Sequence, residues 1–147
     1  MSNILTYDPS QVSVVINGWK CSALESITVT QGVSPFHVIK GINGINTRVR
    51  NLDTSANIVL VVKQTAITND VLSYIHENDV KLGTGGFNIT IKDNGGTSFF
   101  TSDDASIVSL PPIVFNNVLS PRTWHISCGS SSIFHVGSNF VPTTSLF

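Results

Sequence analysis

His125 and Cys128 are the first candidates for metal chemistry in this sequence. Zinc sites are built from His and Cys side chains that reach a single ion. These two residues lie three positions apart on a predicted strand, where they point to opposite faces, so they cannot chelate one ion together. His37 and His135 lie in other segments, and no metal site is predicted.

Residues arranged for catalysis or cofactor binding are also missing. There is no Gly-x-Ser-x-Gly elbow, and the adjacent Asp103 and Asp104 point apart, whereas glycosidases need two facing carboxylates. The glycines at 83, 85 and 86 precede a predicted strand rather than the helix that follows a phosphate-binding loop. We therefore expect a protein that is not an enzyme and has no catalytic, cofactor or metal site. Two cysteines are too few for a disulfide framework and are expected to be buried free thiols.

A basic strand face is the remaining charged feature. Arg48 and Arg50 lie two residues apart, on one side of a predicted strand, and Lys63 comes from its expected partner strand. This face could contact nucleic acid or pair with acidic residues of a neighbouring subunit. The net charge of −1 and the absence of interleaved aromatic residues favour the subunit contact.

Residues 32–46 form the most unusual segment. Three glycines and Pro35 interrupt it, which predicts a loop of about fifteen residues without regular structure. It is too apolar for a solvated linker. We expect it to order against a neighbouring copy, the alternative being that it folds back over its own domain. Its apolar residues are Val33, Phe36, Val38, Ile39, Ile42 and Ile45.

The surrounding elements are mainly strands. Val, Ile and Thr, which favour pleated strands, make up 46 of the 147 residues, and Asn17-Gly18 and Asn94-Gly95 predict tight hairpin turns. Residues 58–62 read as a strand covered on both faces, and 122–128 with 133–136 as a final pair. One helix is predicted over 68–79 with Thr68 as its N-cap. Together they predict a single domain, 1–147, folded as a β-sandwich or partly closed barrel.

The composition favours a surface that is covered by other subunits. Charged residues are 12% of the chain, about half the usual share, and charge is depleted from the cores of protein interfaces. No apolar run approaches the ~20 residues of a membrane-spanning helix, and no export signal is evident. We expect no membrane partner.

Three segments together carry a family resemblance: 64–72 (QTAITNDVL), 89–97 (ITIKDNGGT) and 122–126 (RTWHI), with 7–10 (YDPS) near the start. In this order and spacing the chain resembles a tail tube protein of contractile-tailed bacteriophages. The resemblance implies hexameric rings of β-sandwich subunits, stacked within a contractile sheath around a channel through which DNA passes without specific binding. It also implies assembly in the host cytoplasm, a location in the virion tail, and contacts with sheath, baseplate and tail terminator proteins.

Two other function classes remain open. A baseplate, tail-tip or decoration protein would share the fold and the low charge. A carbohydrate-binding or hydrolytic β-sandwich would need a cleft with exposed aromatic side chains. Trp19 and Trp124 are the candidates for such a cleft, but their strand contexts favour core packing.

Overall fold

The computed structural model describes residues 5–84 and 86–140. These residues form a short 3-10 turn at Pro9–Gln11, ten strands and one α-helix. In chain order the strands and helix are β1 Val12–Ile16, β2 Trp19–Lys20, β3 Leu24–Gln31, β4 Phe36–Lys40, β5 Asn46–Arg50, β6 Ala56–Val62, α1 Thr68–Leu82, β7 Phe87–Asp93, β8 Phe99–Ser109, β9 Arg122–Cys128 and β10 Ile133–His135. The predicted mainly β fold class with one helix is confirmed.

Eight of the strands form one antiparallel sheet in the order β2-β1-β7-β8-β9-β6-β3, with β10 added beside β8. The eleven-residue strand β8 belongs to both halves of this sheet. Its first part pairs with β7 and β10, and its last part pairs with β9. The inward residues of both halves form a single core, so the fold is sandwich-like and not a closed barrel.

Strand alternation places the core. On β6, Ala56, Ile58, Leu60 and Val62 are buried, whereas Val59 and Val61 on the other face are only half-buried. The prediction that this strand is covered on both faces is therefore wrong for the isolated subunit. No layer of the described chain fully covers its second face.

Both predicted hairpins form, but only the first has the predicted tight turn. Five residues, 94–98, connect β7 to β8, and neither Asn94 nor Gly95 adopts a positive φ. Asn17 and Gly18 adopt positive φ values of 49° and 83° between β1 and β2, as a tight turn requires. Asn94 and Gly95 lie between β7 and β8, and the Asp93 carboxylate accepts a hydrogen bond from the Gly95 N–H at 3.0 Å. The predicted final pair is wrong, because β10 pairs with β8 and not with β9.

Helix α1 ends at Leu82, three residues later than predicted, and Gly83 caps it with a left-handed φ of 67°. Thr68 does not act as the N-cap. Its hydroxyl donates to the Ser22 carbonyl at 2.8 Å and accepts from the Ser22 N–H at 3.0 Å. The side chain that was expected to cap the helix instead ties it to the segment before β3.

The next residue, Asn69, joins the helix to the core. Its buried amide donates to the Lys63 carbonyl at 2.9 Å and lies within 3.3 Å of two further carbonyl oxygens. Its side-chain oxygen accepts a hydrogen bond from the Trp124 indole N–H at 3.0 Å. Trp124 is 1% exposed, so the prediction that it packs in the core is confirmed.

Residues 32–46 are not an unstructured loop. Strands β4 and β5 pair with each other over residues 36–50, and Gly41 and Gly44 are confined to the turn between them. Gly44 has a positive φ of 79° there. Gly41 and Gly44, which were read as breaking regular structure, instead close a β-hairpin because they occupy only its turn, and Gly32 lies before the hairpin.

No helix within residues 5–84 and 86–140 is long and apolar enough to cross a membrane.

Candidate assembly surfaces

Residues 33–50, here called the arm, form a hairpin that stands apart from the main sheet. Strands β4 and β5 pair only with each other. One face of the arm carries Phe36 and Val38 opposite Arg50 and Arg48, and the other face carries His37 and Ile39. The arm contributes no residue to the buried core.

The six apolar residues predicted to form an assembly interface all lie on the arm and are at least one-third exposed. Ile42, at the tip, is fully exposed. Phe36 and Val38 are neighbours on one face of the arm, and exposed apolar patches mark interaction sites in soluble proteins. The alternative for this segment was that it folds back over its own domain. Only the base of the arm lies near the sandwich, where Phe36 and Arg50 line a groove with Ser131, Ser132 and Phe134, and no arm residue enters the core.

The predicted basic face is divided by the structure. The Arg48 guanidinium lies 4.0 Å from the centre of the Phe36 ring, a cation–π contact on the arm. Lys63 follows β6, whose partners are β3 and β9 and not β5. The prediction that Lys63 shares a face with Arg48 and Arg50 is wrong, since the arm takes β5 away from the main sheet.

A second apolar surface, residues 110–121, was missed in the sequence. This connection between β8 and β9 contains no strand or helix. The sequence did contain a signal for an irregular apolar segment: Pro111 and Pro112 are followed by three consecutive apolar residues, 113–115, without polar alternation. Gln64 holds it to the end of β6, accepting from the Ser120 N–H at 3.0 Å and donating to the Val114 carbonyl at 3.5 Å. Its exposed apolar residues are Leu110, Ile113, Val114, Phe115, Val118 and Leu119.

The arm and the 110–121 connection lie at opposite ends of the same strands. The arm lies in the connection between β3 and β6. Gln31, at the end of β3, pairs with Ala56, at the start of β6, at one end of the sheet. The connection leads into Arg122, which pairs with Val62 at the other end. Each subunit therefore presents exposed apolar side chains at both ends of its sheet.

The sandwich is open along β3. This eight-residue strand is the last in the sheet order, and Glu25 is its one charged residue. A cleft of about 870 Å³ separates Leu24, Ile27 and Val29 of β3 from the opposite half of the sandwich. A long edge strand with so little charge is a ready template for pairing with another chain.

The described residues offer little for catalysis or metal binding. They contain no group of three metal-ligating side chains, and His125 is exposed whereas Cys128 is buried on the other face of β9. Burial raises the pKa of the Cys21 thiol to about 12 and also raises the pKa of Cys128. Both thiols are free and protonated at neutral pH, so neither is an activated nucleophile.

An aromatic carbohydrate platform built from the two tryptophans is also not formed. Trp124 is buried, and Trp19 is half-buried and packs against the core. The prediction of core packing for both side chains is confirmed.

Comparison with solved structures shows where this fold occurs. The sheath/tube terminator of an extracellular contractile injection system, PVC, in its extended state superposes with a TM-score of 0.61 at 14% identity, over 92% of this chain and 100% of that chain. The tube terminating cap of the anti-feeding prophage gives a TM-score of 0.59 at 12% identity, over 90% and 93% of the two chains. These likenesses show a shared fold.

Comparison with curated sequences shows a closer relationship. No family model matches the chain. Structural protein ORF10 of Pseudomonas phage KPP10 is 34% identical to it, over 95% of this chain and 87% of that protein. At that identity and coverage, the chain belongs to the family of this phage structural protein, and it is a structural component of a phage particle rather than an enzyme.

Proposed function

We propose that the chain is a subunit of the tail tube of a contractile-tailed phage, assembling into hexameric rings that stack to form a channel for DNA inside a sheath. The observation that carries this proposal is the pair of exposed apolar surfaces, the arm and residues 110–121, at opposite ends of the sheet. A subunit that contacts further copies at both ends can extend an array indefinitely.

The energetics favour burial of these surfaces. Fully burying one Val, Leu, Ile or Phe side chain contributes about 1.5–3 kcal/mol, before the cost of ordering the partners is subtracted. The arm alone carries six such side chains, all at least one-third exposed. Burial of these side chains on association therefore stabilises the assembly relative to the isolated subunit.

The β3 edge supports a ring. Pairing β3 with a strand of the next copy would satisfy its free N–H and C=O groups and would close the sheets of neighbouring subunits into a continuous wall. The cleft behind β3 would close in the same step. Sheath, baseplate and terminator proteins would then contact the outer wall and the ends of the tube.

A terminator ring at the end of the tube is the second candidate. The two fold relatives are a sheath/tube terminator and a tube terminating cap, which favours this alternative. A terminator ends an array, so it would form single rings that do not stack. A tube subunit would form stacks of increasing length.

The test is negative-stain electron microscopy of the purified full-length chain across a concentration series, with size-exclusion chromatography. Rings that lengthen into tubes of constant width are expected. Single rings that never stack would support the terminator, and compact monomers at every concentration would overturn self-assembly.

A conduit should not retain DNA, and near-neutral charge is consistent with that. Each phosphate that a Lys or Arg neutralises adds salt-dependent affinity, and this chain has 8 basic against 9 acidic residues. We expect only weak, non-specific retardation of duplex DNA in a low-salt gel-shift titration. A submicromolar or sequence-specific complex would contradict the conduit role.

A further inference from the structure

We propose that the arm of one copy docks on the outward face of helix α1 of a neighbouring copy. This inference rests on the self-assembly proposed above and names the two surfaces that meet. It assigns a partner to a helix face that the subunit itself leaves uncovered.

The outward face of α1 combines apolar and acidic residues. Ile67, which immediately precedes the helix, and Tyr74 are 61% and 65% exposed. Asp70 and Glu77 are also exposed. The four residues recur at intervals of three or four, which places them along one side of a helix. Leu72, in contrast, is fully buried against the core on the opposite side.

The charge on this face is negative over the first three turns of the helix. Asp70 and Glu77 are its acidic residues there, and the basic Lys81 lies one turn beyond Glu77 at the C-terminal end. Two carboxylates therefore flank the exposed Tyr74 ring on this face.

The arm presents the opposite chemistry. Residues 33–50 include Lys40, Arg48 and Arg50 and contain no Asp or Glu. Arg48 and Arg50 share a face with the exposed Phe36 and Val38. Neither arginine forms an ion pair among the described residues. The arm thus carries an apolar strip flanked by uncompensated positive charge.

The dimensions of the two surfaces agree. Two residues on one strand face, such as Arg48 and Arg50, are about 7 Å apart along the strand. Asp70 and Glu77 are seven residues apart, or about 10.5 Å along the helix axis. The length and flexibility of the arginine side chains can cover this difference, so both cations can reach both carboxylates while Phe36 and Val38 cover Ile67 and Tyr74.

In the assembly proposed above, the arm of each copy docks on the next copy, and that copy does not return its own arm to the first, so the contact is head-to-tail. Such a contact generates rings or stacked arrays rather than closed pairs. Apolar burial would supply most of the affinity, whereas the charges would set the register and exclude wrong partners.

The test uses two reciprocal charge-reversal variants of the full-length chain, R48E/R50E and D70K/E77K. All four positions are exposed, so circular dichroism and the melting temperature should stay close to wild type. Each variant alone places like charges across the contact, and we expect the concentration needed for half-assembly to rise by about tenfold or more.

Mixing the two variants is the decisive step. In an equimolar mixture an R48E/R50E arm meets a D70K/E77K helix, and a wild-type arm meets a wild-type helix, so every contact pairs opposite charges. Assembly should return to within about threefold of the wild-type concentration. The quadruple variant R48E/R50E/D70K/E77K should also assemble without a partner variant. The variant R48E/R50E/D103K, whose new positive charge lies on β8, is the control and should stay impaired.

The outcomes separate this contact from the proposed function. If the wild type and both charge-reversal variants assemble equally well, arm-to-helix docking is overturned, and the proposed role as a tube subunit is unaffected. Impaired variants that the mixture does not rescue overturn it as well, and favour a contact of the arm with another tail protein. A wild-type chain that stays monomeric overturns both proposals.

Discussion

Removing the arm is expected to abolish assembly and leave the subunit folded. In the variant, residues 36–50 are replaced by two glycines, which is feasible because the Asn51 N–H donates to the Pro35 carbonyl at 2.7 Å and closes the base of the hairpin. Burial of only three of the arm's side chains in a neighbour is worth about 4.5–9 kcal/mol before ordering costs. Losing it should leave no detectable rings or tubes at concentrations where the wild type assembles fully.

The stability of the same variant provides the internal control. Strands β4 and β5 pair only with each other and contribute nothing to the buried core. The variant should therefore melt cooperatively, within a few degrees of the dissociated wild-type subunit. The substitution Ile42→Ser, at the fully exposed tip, is the milder companion and should weaken assembly without changing the melting temperature. A large loss of thermal stability in the shortened monomer would mean that the arm belongs to the subunit's own core.

Asn69→Ala is expected to destabilise the subunit by about 2–4 kcal/mol, because it leaves buried hydrogen-bonding groups without partners. The Asn69 amide donates to the Lys63 carbonyl at the end of β6, and its oxygen receives the Trp124 indole N–H. Alanine supplies neither group, and the Trp124 N–H lies too deep for water to replace the bond. The effect should appear in urea unfolding as a lower midpoint with an unchanged m-value.

Asn78→Ala is the matched control, since Asn78 lies on the same helix with an exposed side chain. It should change the free energy of unfolding by less than about 0.5 kcal/mol. Alanine has a higher helix propensity than asparagine, so propensity cannot produce a loss at either position. A destabilisation at Asn69 no larger than at Asn78 would therefore contradict the role of the buried amide.

Part of the candidate site could be predicted from the sequence, and part depended on the long-range strand pairing. The six apolar residues of 33–45 and the two arginines could be selected from the sequence, because apolar side chains and uncompensated cations are conspicuous in a chain with so little charge. Whether Lys63 shares a face with Arg48 and Arg50 could not be decided from the local sequence. It depended on which strand pairs with β5, and β5 pairs with β4. The connection 110–121 was passed over, since exposure of an irregular apolar segment is known only when the strands on either side are placed.

What this sequence determined by itself were the features with local causes. Asn17-Gly18 specifies a tight turn through the positive φ that both residues adopt, and Asn94-Gly95 marks the connection between β7 and β8. Alternation of Ile and Val with Thr or Ser specifies strands. The tertiary structure alone decided the long-range pairings: β10 beside β8, the arm apart from the sheet, and Thr68 bonded to Ser22 rather than capping its helix. The physical reason is that a strand's hydrogen-bonding edge accepts any partner of suitable register. The choice among partners is made by burial of the whole core, which no short segment contains.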